Sequence, residues 1–174
     1  MKYVCLLRGL NVGGKNKVSM TDLRLVFEKL GFDNVVTYIN SGNVLFSSSE
    51  EPSTINLEQS LESAFGFSMS TLILNEDRIK AIAEAIPNDW QNDLTQKSDV
   101  VYLLPDVDVP EIIKELNYKP EIETVLYAPG ALLCNISRKN QSRGSLLKLM
   151  GKPLYQRLTI RNVNTARKLR DLCS

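Results

Sequence analysis

Val35-Val36-Thr37-Tyr38-Ile39-Asn40-Ser41-Gly42-Asn43-Val44-Leu45-Phe46 reads as a β-hairpin. Val35 to Ile39 is a β-branched and aromatic run, Asn40 to Asn43 is turn chemistry, and Val44 to Phe46 is the returning strand. On the N-terminal side lies a helix from Met20 to Leu30, capped by Ser19, with Leu23, Val26, Phe27 and Leu30 on one face. Before it comes an apolar strand, Tyr3 to Leu7. On the C-terminal side a helix covers Ser53 to Ala64, a strand Met69 to Leu74, and a further helix, capped by Asn75, runs to Ile86 and ends at Pro87. A hairpin between two helices, with a strand at each end, is the β-α-β-β-α-β order of the ferredoxin-like unit.

The second half repeats the order. Val100 to Leu104 is a strand, Pro110 opens a short helix, and Ile122 to Tyr127 and Leu132 to Ile136 flank the Ala128-Pro129-Gly130 turn. Gly144 to Met150 is a helix, Leu158 to Ile160 a strand, and Val163 to Leu172 a closing helix. The expected fold class is therefore α+β: tandem ferredoxin-like subdomains, each followed by an extra helix, over residues 1–92 and 93–174. One continuous mixed sheet is the alternative. The length of 174 residues suits one domain or two small ones at roughly 150 residues per domain. Val4 to Leu7, Val100 to Leu104 and Ala131 to Cys134 are apolar at consecutive positions, so both faces of these strands are expected to be covered, one by helices and the other by the sister subdomain or a second subunit.

Composition excludes several chemistries. There is no histidine, which removes the usual general base, zinc ligand and pH switch. Three cysteines, Cys5, Cys134 and Cys173, lack CxxC spacing, so neither a disulfide framework nor a thiolate metal site is expected. No apolar run is long enough for a signal peptide or a membrane span, and a cytoplasmic protein without membrane partners is expected. The overall charge of +1 hides segregation. Residues 138–174 carry ten basic side chains against Asp171 alone, net +9; residues 1–29 are net +4, and the stretch between them is net −12. The basic tail could track a phosphate backbone or neutralise the acidic middle. An open RNA-binding sheet is disfavoured, because the first strand offers only Tyr3 and the third only Phe46 as stacking aromatics.

The chemistry-bearing stretch follows the first strand: Arg8-Gly9-Leu10-Asn11-Val12-Gly13-Gly14-Lys15-Asn16-Lys17. Gly9 to Lys15 fits G-x-x-x-x-G-K, the start of a P-loop. Asn16 replaces the magnesium-binding Ser/Thr, the helix cap comes about four residues late, and the hairpin order lacks a parallel sheet, so nucleotide hydrolysis is not expected. Anion binding is: glycines at 9, 13 and 14 turn backbone N–H groups outward, while Arg8, Lys15 and Lys17 supply charge. A solvated glycine loop is the alternative. Ferredoxin-like topology brings this loop beside the Ser41-Gly42-Asn43 turn, whose donors would form the second wall of a pocket. Arg161-Asn162-Val163-Asn164-Thr165, entering the last helix, reads first as a helix cap and second as an anion contact.

Leu6 to Asn16, the Tyr38 to Val44 hairpin and the Arg161 to Thr165 segment together resemble the bacterial family called domain of unknown function 1697. The resemblance spans essentially the whole chain. It implies an α+β fold of two related subdomains and no established activity. Family motif positions fall on Arg8, Gly9, Asn11, Gly13, Gly14, Lys15, Asn16, Ser41, Gly42, Asn43, Arg161, Asn162, Asn164 and Thr165. Val163 stands where many members are expected to carry an aromatic. The leading functional expectation is a binding protein for a phosphate-bearing small molecule or nucleic acid, with no cofactor and no metal. A non-enzymatic homodimeric interaction module is the second. A phosphoryl- or acyl-transfer enzyme is the third; it would need Asp, Glu, Lys or Tyr as acid and base, and no catalytic residue stands out. Asp22, the carboxylate nearest the loop in sequence, suits helix stabilisation.

Overall fold

A computed structural model describes residues 1–11 and 16–174. The chain divides into two compact units, Met1–Ile79 with Leu172–Ser174, and Lys80–Asp171. This division falls within the helix Glu76–Glu84 and returns the last three residues to the first unit.

Unit 1 contains strands β1 (Lys2–Leu7), β2 (Asp33–Tyr38), β3 (Asn43–Ser47) and β4 (Thr71–Asn75), with helices α1 (Met20–Lys29) and α2 (Thr54–Phe65). Their sheet order is β2-β3-β1-β4, antiparallel throughout. Ser19 caps α1 as expected: its Oγ accepts from Asp22 N at 3.0 Å and donates to Asp22 Oδ2 at 2.7 Å. Asp22 is thereby a partner in the cap. Leu23 and Phe27 of α1 and Leu57 and Leu61 of α2 recur at four-residue spacing and are buried against the sheet. Phe46 joins the two layers, with ring centroids 5.4 Å from Phe27, 4.5 Å from Phe32 and 5.7 Å from Tyr3. Tyr3 and Phe46 are thus core residues, which removes both aromatics that an RNA-stacking face would use.

Helix α3 (Glu76–Glu84) follows, with Asn75 Oδ1 accepting from Arg78 N at 2.9 Å. Unit 2 contains β5 (Gln96–Leu103), β6 (Glu123–Ala128), β7 (Ala131–Ser137) and β8 (Leu158–Asn162), ordered β6-β7-β5-β8. The one-continuous-sheet alternative is overturned: the strands form two separate four-stranded sheets of the same order, each with its own helices. Unit 2's helical layer differs from expectation. Pro110–Leu116 is a 3-10 helix, Pro105–Val107, Arg138–Arg143 and Pro153–Arg157 are further 3-10 turns, and α4 is only Ser145–Leu149. The closing helix α5 is Val163–Cys173.

β5 begins at Gln96, four residues before the expected Val100, because its polar start is satisfied across the sheet. Asn135 Nδ2 on β7 donates to Gln96 Oε1 and Ser98 Oγ, both at 2.7 Å, and Lys97 pairs with Asp99 along the strand. Val4 and Leu6, like their neighbours Cys5 and Leu7, are buried, as are Val100 to Leu103, so both faces of the central strands are shielded from water. Among the described residues no helix is long and apolar enough to cross a membrane.

Candidate functional site

The loop after β1 meets the β2–β3 turn inside unit 1. Leu7 N donates to Gly42 O at 2.8 Å, carrying the ladder up to the turn. Asn11 makes the second tie. Its Nδ2 donates to Asn40 O and to Val18 O, each at 3.1 Å, while its Oδ1 accepts from Val18 N at 2.9 Å. One amide thus joins the loop's start, its return before α1 and the turn. Asn11 N also donates to Asn16 O at 3.3 Å, so the flanks of residues 12–15 are held together. Val12, Gly13, Gly14 and Lys15 themselves lie outside the described residues, so the three motif positions among them have no assigned geometry.

The backbone here is unusual. Gly9 has φ +72° and Gly42 φ +75°, with Asn11 at 54°, Asn16 at 52° and Ile39 at 50°. Asparagine tolerates the left-handed region, but a β-branched residue there is strained, at a cost of about 1–3 kcal/mol. Ile39, expected as the last residue of the second strand, instead opens the turn. At Gly42 a Cβ would sit 2.9 Å from Leu7 Cβ, so the close approach of loop and turn requires glycine. At Gly9 nothing lies within 4 Å of a Cβ, and that position is exposed.

The expected donors divide by role. Arg8 is half-buried, with its backbone N–H on Ser70 O at 3.0 Å, whereas Asn16 and Lys17 are exposed. Asn43 is fully buried; its Nδ2 donates to Tyr38 O at 2.9 Å and to Ser41 Oγ at 3.0 Å, so it braces the turn and positions the Ser41 hydroxyl. The segment Arg161 to Thr165 belongs to unit 2. Asn162 Oδ1 accepts from Thr165 N at 2.9 Å, the cap expected there. Arg161 is buried, with Nη1 on Thr159 Oγ1 at 3.0 Å and on Ile160 O at 2.8 Å. Asn164 Nδ2 donates to Asn92 O at 3.3 Å.

Much of the basic tail serves unit 2 itself. Arg157 grips Asp106 through two bonds of 2.9 and 2.6 Å, holding that carboxyl below its usual range and raising its own proton affinity. Arg167 donates to Trp90 O at 2.8 Å and Pro87 O at 3.0 Å. Arg138 donates to Asp93 O at 2.8 Å, Gln141 Oε1 at 2.9 Å and Asn92 Oδ1 at 3.0 Å. Arg157 thus meets an acid, while Arg167 and Arg138 spend their N–H groups on neutral acceptors of the fold.

The sequence reading missed a cavity of about 450 Å³ in unit 2. Its floor is the polar end of the sheet: Lys97 and Asp99 on β5, Glu123 on β6 and Cys134 on β7. Glu123 is buried and spent. Its oxygens accept from Lys119 N at 2.9 Å, from Ser145 N at 3.1 and 3.0 Å, and from Ser145 Oγ at 3.0 Å, which pins the start of α4. Burial, and then the negative charge of Asp99 and Glu123, pushes the Cys134 thiol up, so it stays protonated and unreactive at neutral pH. The signal available in sequence was the i, i+2 pair Lys97 and Asp99 running into an apolar strand. Among the described residues no cluster of three acidic or cysteine side chains is arranged to hold a metal ion.

A family model described as "Protein of unknown function (DUF1697)" matches residues 1–133. The chain belongs to this family. The match includes the β1 loop and the β2–β3 turn but stops short of Arg161 to Thr165. A solved structure of the conserved bacterial protein SP0830 from Streptococcus pneumoniae is 31% identical, with a TM-score of 0.81, covering 99% of this chain and 98% of that one. It extends the likeness of this DUF1697 protein through both units. Comparison with curated proteins finds no match.

Proposed function

We propose that the protein binds a phosphate-bearing ligand, a nucleotide or nucleic acid, where the β1 loop abuts the β2–β3 turn. In this reading Arg8, Lys15 and Lys17 supply charge, and the backbone N–H groups of the glycine loop and the Ser41 hydroxyl of the turn supply donors. The observation that carries this reading is the tie from Asn11 to Asn40 O, which joins the basic loop to the polar turn. Strain at Ile39, beside the same contact, supports it, since strained backbone clusters at ligand sites. The test is retention on heparin and on an immobilised oligonucleotide. The wild type is expected to bind with affinity that falls steeply with salt, and Lys15→Ala with Lys17→Ala to elute at clearly lower salt. Equal retention of the two proteins overturns the reading.

A further inference from the structure

The cavity in unit 2 lies apart from the β1 loop in sequence and in unit, and its chemistry differs. Leu146, Leu147 and Met150 from α4 and its end form one wall; Ile136, Ile160 and Tyr155 form much of the rest. Leu147 and Met150 are 51% and 61% exposed, large apolar side chains left in water beside an apolar hollow. The volume suits a small organic molecule.

The polar groups in this hollow are not equivalent. Glu123 has both oxygens filled by backbone and hydroxyl donors. Asn135 is committed to Gln96 and Ser98, and Arg138 to Asp93, Asn92 and Gln141. Asp99 remains. Its side chain is only 9% exposed, and among the described residues its hydrogen-bond partner is Lys97 alone, on Oδ2. A carboxylate offers about four acceptor sites, so one lysine leaves most of them unused. Lys97 is 37% exposed and can shift toward solvent without unfolding the strand. Lys97 and Arg138 match the two carboxylates of the lining in number, but Arg138 is turned to Asp93 O, Asn92 and Gln141, so the unfilled hydrogen-bonding capacity at the floor is the acceptor capacity of Asp99. A ligand carboxylate or phosphate would meet Asp99 and Glu123 as like charges, whereas an ammonium would complete Asp99.

We propose that this cavity binds a small amphiphilic amine, its N–H head on Asp99 and its apolar body against Leu146, Leu147 and Ile160. The site takes a cation, the opposite sign to the ligand of the β1 loop, and does not depend on that reading.

Three probes with one ring system separate the possibilities: 1-naphthylmethylamine, 1-naphthalenemethanol and 1-naphthylacetate, each titrated into the full chain and followed by amide NMR. The amine is expected to bind at least tenfold more tightly than the acetate, with the alcohol between them. Shifts are expected at residues 97–99, 123, 134 and 145–150. Asp99→Asn is expected to bring amine and acetate within about threefold of each other. Leu147→Trp alters a half-exposed wall residue that folding tolerates, and is expected to weaken all three probes about tenfold by filling the mouth. Acetate binding as tight as the amine's overturns the proposal, and so does the absence of any shift at these residues with millimolar amine. The comparison on the wild-type chain decides the matter even if Asp99→Asn fails to fold.

Discussion

The two units carry the same sheet order under different helical layers. In unit 1, α1 and α2 span 10 and 12 residues, and each is capped by a serine. Leu23, Phe27, Leu57 and Leu61 cover the sheet between them. In unit 2 the corresponding stretches break into 3-10 turns and a five-residue α4. Short helices leave the end of the second sheet uncovered, and the cavity sits there over Lys97, Asp99 and Glu123. Sheet order follows from the hairpin and the crossovers, which both halves share. The covering layer follows from helix length and capping, which they do not. The two units also place their candidate ligand chemistry differently: unit 1 at a loop and turn, unit 2 under its broken lid.

That contrast can be broken most sharply in the cores. Phe27→Ala empties the ring cluster under the paired helices of unit 1 and is expected to cost about 3–5 kcal/mol in urea unfolding. Leu146→Ala, in the wall of the existing hollow, is expected to cost less, about 2–3 kcal/mol, because cost depends on how much new cavity is made. Equal losses would remove the distinction between the layers.

Glu123→Gln tests what holds the broken lid. The carboxylate takes donors from Lys119 and Ser145, and an amide would turn its NH₂ toward some of them. A loss of about 2 kcal/mol is expected, with amide shifts concentrated in residues 138–157. Changes centred on unit 1 would contradict the assignment.

Two positive-φ glycines of unit 1, exposed Gly9 and buried Gly42, separate strain from crowding. Gly9→Ala meets only its positive φ and is expected to cost about 1 kcal/mol, whereas Gly42→Ala also drives a Cβ against Leu7 and is expected to cost about 2–3 kcal/mol. The smallest expected effect is electrostatic. The N–H of Gln96, the hydroxyl of Thr95 and the N–H of Thr95 hold the Asp93 carboxyl below its usual 3.8. As the pH falls, the unfolded chain takes up this proton first. The stability Asp93 adds is therefore full above 3.8 and lost as the pH drops through the lower folded value. Asp93→Asn is expected to flatten a small part of the acid limb of a stability–pH curve and to leave the neutral region nearly level.

The architecture was readable because it rests on hydrophobic runs and turn residues. Ser19, Asn75 and Asn162 cap helices where their side-chain chemistry suggests. The meeting of the β1 loop with the Asn40 to Asn43 turn followed from topology alone. What escaped reading depends on partners distant in sequence. Gln96 to Asp99 look like loop until Asn135 and the β7 backbone satisfy them. Asn43 looks like a donor for a ligand until Tyr38 O and Ser41 Oγ claim it. The Lys97 and Asp99 pair marks a polar start to an apolar strand, but the cavity above it depends on how short α4 is.

The most direct measurement is a titration of the ¹⁵N-labelled chain with pyrophosphate, followed by amide NMR. The expected result is saturable shifts at Arg8, Gly9, Asn16, Lys17, Ser41 and Gly42, weakening as salt is raised. Shifts that miss both the β1 loop and the turn, or that gather only along the basic residues of 138–170, would contradict a phosphate site at that junction.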